Sequence, residues 1–167
     1  MSSAGMPQAK RLRIGLFGKR NSGKSSLVYA LMSQEKALAS GKVTDPVFRA
    51  AEIRGLGPVT FMDTIGFDDI RKPSEQQTKE TAAGTDIAIV LVPNASMELE
   101  LAWMNRLRKA GAVVIPVVSC IDELPDEGRE IAAAVQEASG RKTLRVSTHA
   151  NIGVAELMAE IARHASA

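Results

Sequence analysis

Gly18-Lys19-Arg20-Asn21-Ser22-Gly23-Lys24-Ser25 fits the pattern GxxxxGK[ST], and it lies in the setting that pattern requires. Ahead of it, Leu12-Arg13-Ile14-Gly15-Leu16-Phe17 is a short apolar run that reads as a buried strand. Behind it, Leu27, Val28, Ala30, Leu31 and Met32 recur at helical spacing over Ser25–Ser33. A loop between a strand and a helix start turns its backbone N–H groups toward phosphate oxygens, and the helix adds the positive end of its dipole. Gly18 and Gly23 allow the curl, Lys24 reaches the outer phosphates, and the Ser25 hydroxyl suits Mg²⁺. The phosphate-binding stretch is therefore Gly18, Lys19, Arg20, Asn21, Ser22, Gly23, Lys24, Ser25 and Ser26. The alternative is a chance match in a loop rich in Gly, Ser and Lys, which the strand-loop-helix setting disfavours.

Outward from this loop, Val47–Ile53 and Val59–Met62 read as a hairpin-like pair around the turn Gly55-Leu56-Gly57-Pro58. Ile87–Val92 and Ala112–Val118 are continuous apolar runs, the mark of strands covered on both faces. Leu144–Val146 is a short final strand. Helices are expected over Ser74–Ala83, Met97–Ala110, from Pro125 to Gly140, and over Val154–His164. Glu35–Pro46 has no period and reads as a loop. The order predicts an α/β fold in three layers: a mainly parallel six-stranded sheet with one antiparallel strand and helices on both faces, the plan of small P-loop GTPases. A single domain spans 11–167 behind a disordered lead-in at 1–10. Ligands in such sheets sit beyond the carboxyl ends of the strands.

Two further motifs fall at those ends. Asp63-Thr64-Ile65-Gly66 follows the third strand; Asp63 can hold a Mg²⁺-bound water, and Gly66 can offer its bare N–H to a γ-phosphate. An ordinary turn is the alternative. Phe67 stands where many small GTPases have a water-orienting glutamine, so hydrolysis needs another device. After the fifth strand, Ser119-Cys120-Ile121-Asp122 occupies the slot of the guanine-reading NKxD motif. The aspartate is present; the asparagine and lysine are not, which predicts weakened affinity of about 1 kcal/mol per lost contact. The alternative for Asp122 is a cap on the helix near Pro125. Ser147 and Thr148 follow the last strand, where a loop touches guanine O6. The guanine-binding set is thus Ser119, Cys120, Asp122, Ser147 and Thr148.

The 167-residue chain has a net charge of +2 and a single cysteine, Cys120. Neither a basic nucleic-acid face nor a disulfide or cysteine-rich metal framework is indicated. No apolar run approaches a membrane span, and Met1–Lys10 lacks a signal-peptide core, so a cytoplasmic setting is expected. His149 and His164 have no spaced metal partner. Trp103, Leu99, Ala102, Leu107 and Ala110 read as one core face, and Arg106-Leu107-Arg108-Lys109 as a solvated helix end.

Thr44-Asp45-Pro46-Val47-Phe48-Arg49-Ala50, Gly57-Pro58-Val59 and Asp63-Thr64-Ile65-Gly66-Phe67-Asp68-Asp69 together resemble the GTPase domain of the [FeFe]-hydrogenase maturation family, HydF. The resemblance covers about Leu12–Arg163 and is most specific between Gly18 and Asp69. It implies a guanine-nucleotide switch with GTP or GDP and Mg²⁺, slow hydrolysis, and a catalytic set of Lys24, Thr44 and Gly66. Mg²⁺ would be held by Ser25, Asp63 and Thr44, and Asn21 is a candidate K⁺ ligand. Hydrogenase maturation factors are the implied protein partners, with dimerisation an open option. The chain departs from the family at Val43, where the Mg²⁺-ligating threonine would fall, and at Ile65, Ser119 and Cys120. Those departures keep two other readings open: a docking module without catalysis, and a GTPase of ribosome or tRNA processing.

Overall fold

A computed structural model describes residues 12–19, 22–34, 38–39, 48–53, 57–63 and 84–165. The chain order is β1 (Leu12–Phe17), α1 (Lys24–Gln34), β2 (Leu38–Ala39), β3 (Phe48–Ile53), β4 (Gly57–Asp63), β5 (Ile87–Val92), α2 (Glu98–Lys109), β6 (Val113–Val118), α3 (Arg129–Ser139), β7 (Leu144–Arg145) and α4 (Val154–Ala165). The strands form one sheet in the order β2-β3-β4-β1-β5-β6-β7. β4, β1, β5, β6 and β7 run parallel, and β3 is antiparallel to β4 and to β2.

The sheet is the expected α/β P-loop GTPase plan, with one strand more than the six read from the sequence. The addition is Leu38–Ala39, which pairs with Glu52 and Ala51 inside a stretch read as loop. The helix expected from Pro125 begins instead at Arg129. Asp126 and Glu127 have φ of 48° and 54°, and Gly128 has φ of 72°; left-handed residues cannot extend a right-handed helix. The expected helix Ser74–Ala83 and the lead-in 1–10 lie outside the described residues.

β5 shows why the central strands are uniformly apolar. Ile87, Ile89 and Leu91 join Leu27, Val28 and Leu31 of α1 and Val154, Leu157 and Ile161 of α4 on one face. Ala88, Val90 and Val92 join Trp103, Met104 and Leu107 of α2 and Val135 of α3 on the other. Alternate residues thus serve opposite cores, and both cores exclude water. Of the face read on α2, Trp103 and Leu107 are fully buried while Ala110 is exposed.

All parallel strands end at the same edge. Leu16 is level with Asp63, Phe17 with Val90, Val92 with Val118, and Val118 with Arg145. The loops after β1, β6 and β7 therefore meet along one rim, at the edge where β4 also ends.

Candidate nucleotide-binding site

At that rim the phosphate loop leaves β1 and α1 begins at Lys24. The Lys24 ammonium is buried and donates to the Gly18 carbonyl at 2.7 Å, bridging the two ends of the loop. Ser22 N–H donates to the Lys19 carbonyl at 3.1 Å and closes the turn between them. A Cβ on Gly18 would lie 2.5 Å from Ser22 Oγ and 3.3 Å from Leu91 Cβ, so a larger residue there would displace the Ser22 side chain. Ser22 Oγ is buried without a hydrogen-bond partner among the described residues. A lysine held across a tight loop at a helix start, with an unsatisfied hydroxyl inside, suits a phosphate chain.

The side chains of the loop divide. Ser25 and Ser26, in the first turn of α1, are exposed. The Lys19 ammonium donates to the Ser96 carbonyl at 2.8 Å and lies 3.3 Å from Glu100 Oε2, so its charge is engaged by the protein. Asp63 closes β4 beside β1. Arg20, Asn21, Val43, Thr44, Ile65, Gly66 and Phe67 lie outside the described residues.

The base-reading loop follows β6. Ser119 N–H donates to the Val92 carbonyl at 3.0 Å, and Ile121 N–H to the Val146 carbonyl at 3.3 Å, so the loop is pinned to both neighbouring strands. Cys120 adopts φ 55°, ψ 39°, a left-handed conformation that turns the chain into the short helical turn Ile121–Glu123. Its thiol lies 3.9 Å from the Ser22 carbonyl, and 3.8 Å from the point a Gly23 Cβ would occupy. Cys120 thus packs the base loop onto the phosphate loop. Burial pushes its thiol pKa up, and the Glu123 and Asp122 charges add to the rise. The neighbouring Ser119 hydroxyl opposes it, although its geometry falls short of a hydrogen bond.

Asp122 is exposed and accepts from Ser147 Oγ at 2.8 Å. Ser147 is fully buried, and its oxygen also accepts from Ala150 N–H at 3.0 Å. Asp122 is therefore tied to the loop after β7 rather than capping the following helix; the N–H of Glu130 is served by Asp126 Oδ2 at 3.3 Å. Ser119 Oγ, by contrast, is buried with no partner among the described residues. Thr148 is half-buried beside Ser147. The sequence reading places each motif at a strand end but not the contacts between the loops, and Lys19–Glu100 has no sequence signal, because a glutamate on an amphipathic helix reads as solvent-facing.

Comparison with known proteins agrees with this layout. The chain is 30% identical over 165 residues to the tRNA modification GTPase MnmE of Symbiobacterium thermophilum, covering 93% of this chain and 35% of that protein. It is 31% identical over 117 residues to the GTPase Der of Wolinella succinogenes, covering 62% of this chain and 25% of that one. The chain thus spans about a quarter to a third of these curated relatives. Among solved structures, the cytosolic domain of the T. maritima FeoB iron transporter in its GMPPNP form superposes with a TM-score of 0.67 at 20% identity, covering 95% of this chain and 65% of that one. The FeoB G-domain of Methanococcus jannaschii gives 0.65 at 18%, over 95% of this chain and all of that one. These structures share the fold. Residues 13–143, from β1 to the residue before β7, match the 50S ribosome-binding GTPase family, and the chain belongs to it.

Proposed function

We propose that the chain is a Mg²⁺-dependent guanine-nucleotide switch serving ribosome or tRNA processing. One observation carries the nucleotide part: the bridged Lys24 loop faces a base loop whose Asp122 is held by Ser147. The names of the relatives, a tRNA modification GTPase among them, support the biological setting. Family membership implies GTP, GDP and Mg²⁺ as ligands.

In this reading Lys24 and the loop N–H groups hold the phosphates, and Asp122 accepts from the guanine N1–H and 2-amino group. Adenine cannot match that pattern. Ser25 and Asp63 would hold Mg²⁺, with Thr44 supplying a third oxygen. The metal would offset charge on the outer phosphates. Gly66 would sense the γ-phosphate. Asn21 is the candidate for a K⁺ ion, whose charge can stand in for an arginine finger; that suits a chain with Phe67 in the glutamine position. Turnover without a partner is slow. With a net charge of +2 the domain is a weak RNA binder by itself, so the switch acts through a protein partner or a second copy.

The hydrogenase-maturation reading rests on Thr44-Asp45-Pro46-Val47 and Asp68-Asp69, and neither relative named above carries that role. Calorimetric titration with GTP, GDP and ATP, each with Mg²⁺, in KCl and in NaCl, tests the proposal. Guanine nucleotides bind and ATP does not; hydrolysis is faster in KCl. Equal binding of ATP would overturn the role of Asp122. Binding of none of the three would leave a docking module.

A further inference from the structure

Glu100 has a side chain that is 0% exposed, on the face of α2 that also buries Trp103, Met104 and Leu107. Neither of its carboxylate oxygens has a hydrogen-bond partner among the described residues. The Lys19 ammonium, 3.3 Å from Oε2, is the compensating charge, at a geometry that falls short of a hydrogen bond. Burying a carboxylate with so little compensation is costly, and an apolar residue of similar volume would pack there more favourably. Stability therefore does not account for Glu100. What the residue does reach is the phosphate loop. Lys19 is the second residue of that loop; its carbonyl accepts the Ser22 N–H at 3.1 Å. Its ammonium also donates to the Ser96 carbonyl at 2.8 Å, in a loop closed by Ser96 N–H on Asn94 Oδ1 at 2.9 Å. One side chain thus spans the phosphate loop, the segment after β5, and the start of α2.

We infer that Glu100 is a positioning residue for the nucleotide: through Lys19 it holds the turn from Gly18 to Ser22 in the curl that receives phosphate. The inference rests on nucleotide binding at this loop. Without the carboxylate, Lys19 keeps only the Ser96 carbonyl and the turn loosens. The buried charge is placed where no other described cation reaches, so the two residues act as a pair.

The test uses the whole chain with Glu100→Gln, Lys19→Met, the double variant and Lys19→Arg. Three quantities are read: exchange of the Ser22 amide in nucleotide-free protein, the release rate of a fluorescent GDP, and thermal stability. Glu100→Gln keeps the shape and removes the charge, so the melting temperature holds or rises. The Ser22 amide exchanges about tenfold faster, and GDP leaves about tenfold faster, the scale of one charge-assisted contact. Exchange at Val90, inside β5, stays unchanged. Lys19→Met lowers stability, because it strands the carboxylate, and the double variant recovers stability without recovering slow GDP release. Lys19→Arg keeps GDP release slow. Unchanged Ser22 exchange in Glu100→Gln overturns the inference, as does faster exchange with unaltered GDP release. Additive effects of the two single variants on release also overturn it. A wild-type chain that binds no GDP, yet shows the Ser22 effect, sinks the nucleotide reading and leaves the coupling of Glu100 to the loop standing.

Discussion

Ser147 donates its hydroxyl to the carboxylate assigned to the base, and it does so from a fully buried position at 2.8 Å. Its removal leaves Asp122 free to rotate on an exposed turn. Ser147→Ala is expected to weaken GDP binding by about 1 kcal/mol, the usual net worth of such a bond, with a smaller effect on any ATP binding. Titration of both nucleotides checks this; equal losses for the two would point to general loosening instead. Ser119 offers the opposite experiment. Its hydroxyl is buried and unpartnered among the described residues, so an asparagine there regains reach across the rim. Ser119→Asn should tighten GDP, and a loss of affinity would show that the pocket lacks room for the longer side chain. The motif positions at this scale were legible because they are contiguous in sequence. Ser147 was legible only as a weak positional match for a base-touching loop and not as the partner of Asp122; the partner of Lys19 was not legible either, since burial of Glu100 is decided by how α2 packs.

The elements that carry the site depend on short connections more than on long helices. The loop after β7 is closed by a pair of backbone hydrogen bonds between Ser147 and Ile152, both 2.9 Å. Gly153 follows with φ of 78°, and a Cβ there would run into the Arg145 carbonyl. Gly153→Ala should cost about 1–3 kcal/mol and loosen Ser147, read as a lower melting temperature together with weaker guanine selectivity. A melting temperature at the wild-type value would mean that the loop yields without strain. β5 and β6 could be read from the sequence because a strand covered on both faces must be apolar throughout. β2 could not: two residues, Leu38 and Ala39, carry no period. The start of α3 was misplaced because Pro125 is a usual first helical residue, whereas the left-handed Asp126 and Glu127 carry no glycine to announce them.

For the molecule as a whole, two buried carboxylates pull the pH dependence of stability in opposite directions. Glu160 on α4 is held below the usual glutamate range by the Arg163 guanidinium at 2.7 Å, with Lys142 and His164 adding to the effect against its burial. A depressed carboxylate stabilises the fold above its unfolded pKa, and that contribution is lost as pH falls through the folded value. Glu100 is the reverse: burial raises its pKa, so the folded chain takes up the proton more readily. Its unfavourable charge grows as pH rises from the ordinary glutamate range toward its raised value, and acid relieves it. Melting temperatures across the acid range should therefore fall less steeply in Glu160→Gln than in the wild type, and more steeply in Glu100→Gln. Parallel curves for all three proteins would show that neither group governs acid stability.

The direction of the last helix has a practical side. α4 starts from the loop that follows β7, at the rim, and runs back along the sheet, so the described fold begins at Leu12 and ends at Ala165 on the far side from the rim. An affinity tag, a fluorophore or a surface tether joined at Leu12 or at Ala165 would stand away from the mouth through which a nucleotide enters. Immobilised sensing of GDP exchange should then proceed at the rate seen free in solution, whichever of these two points is anchored.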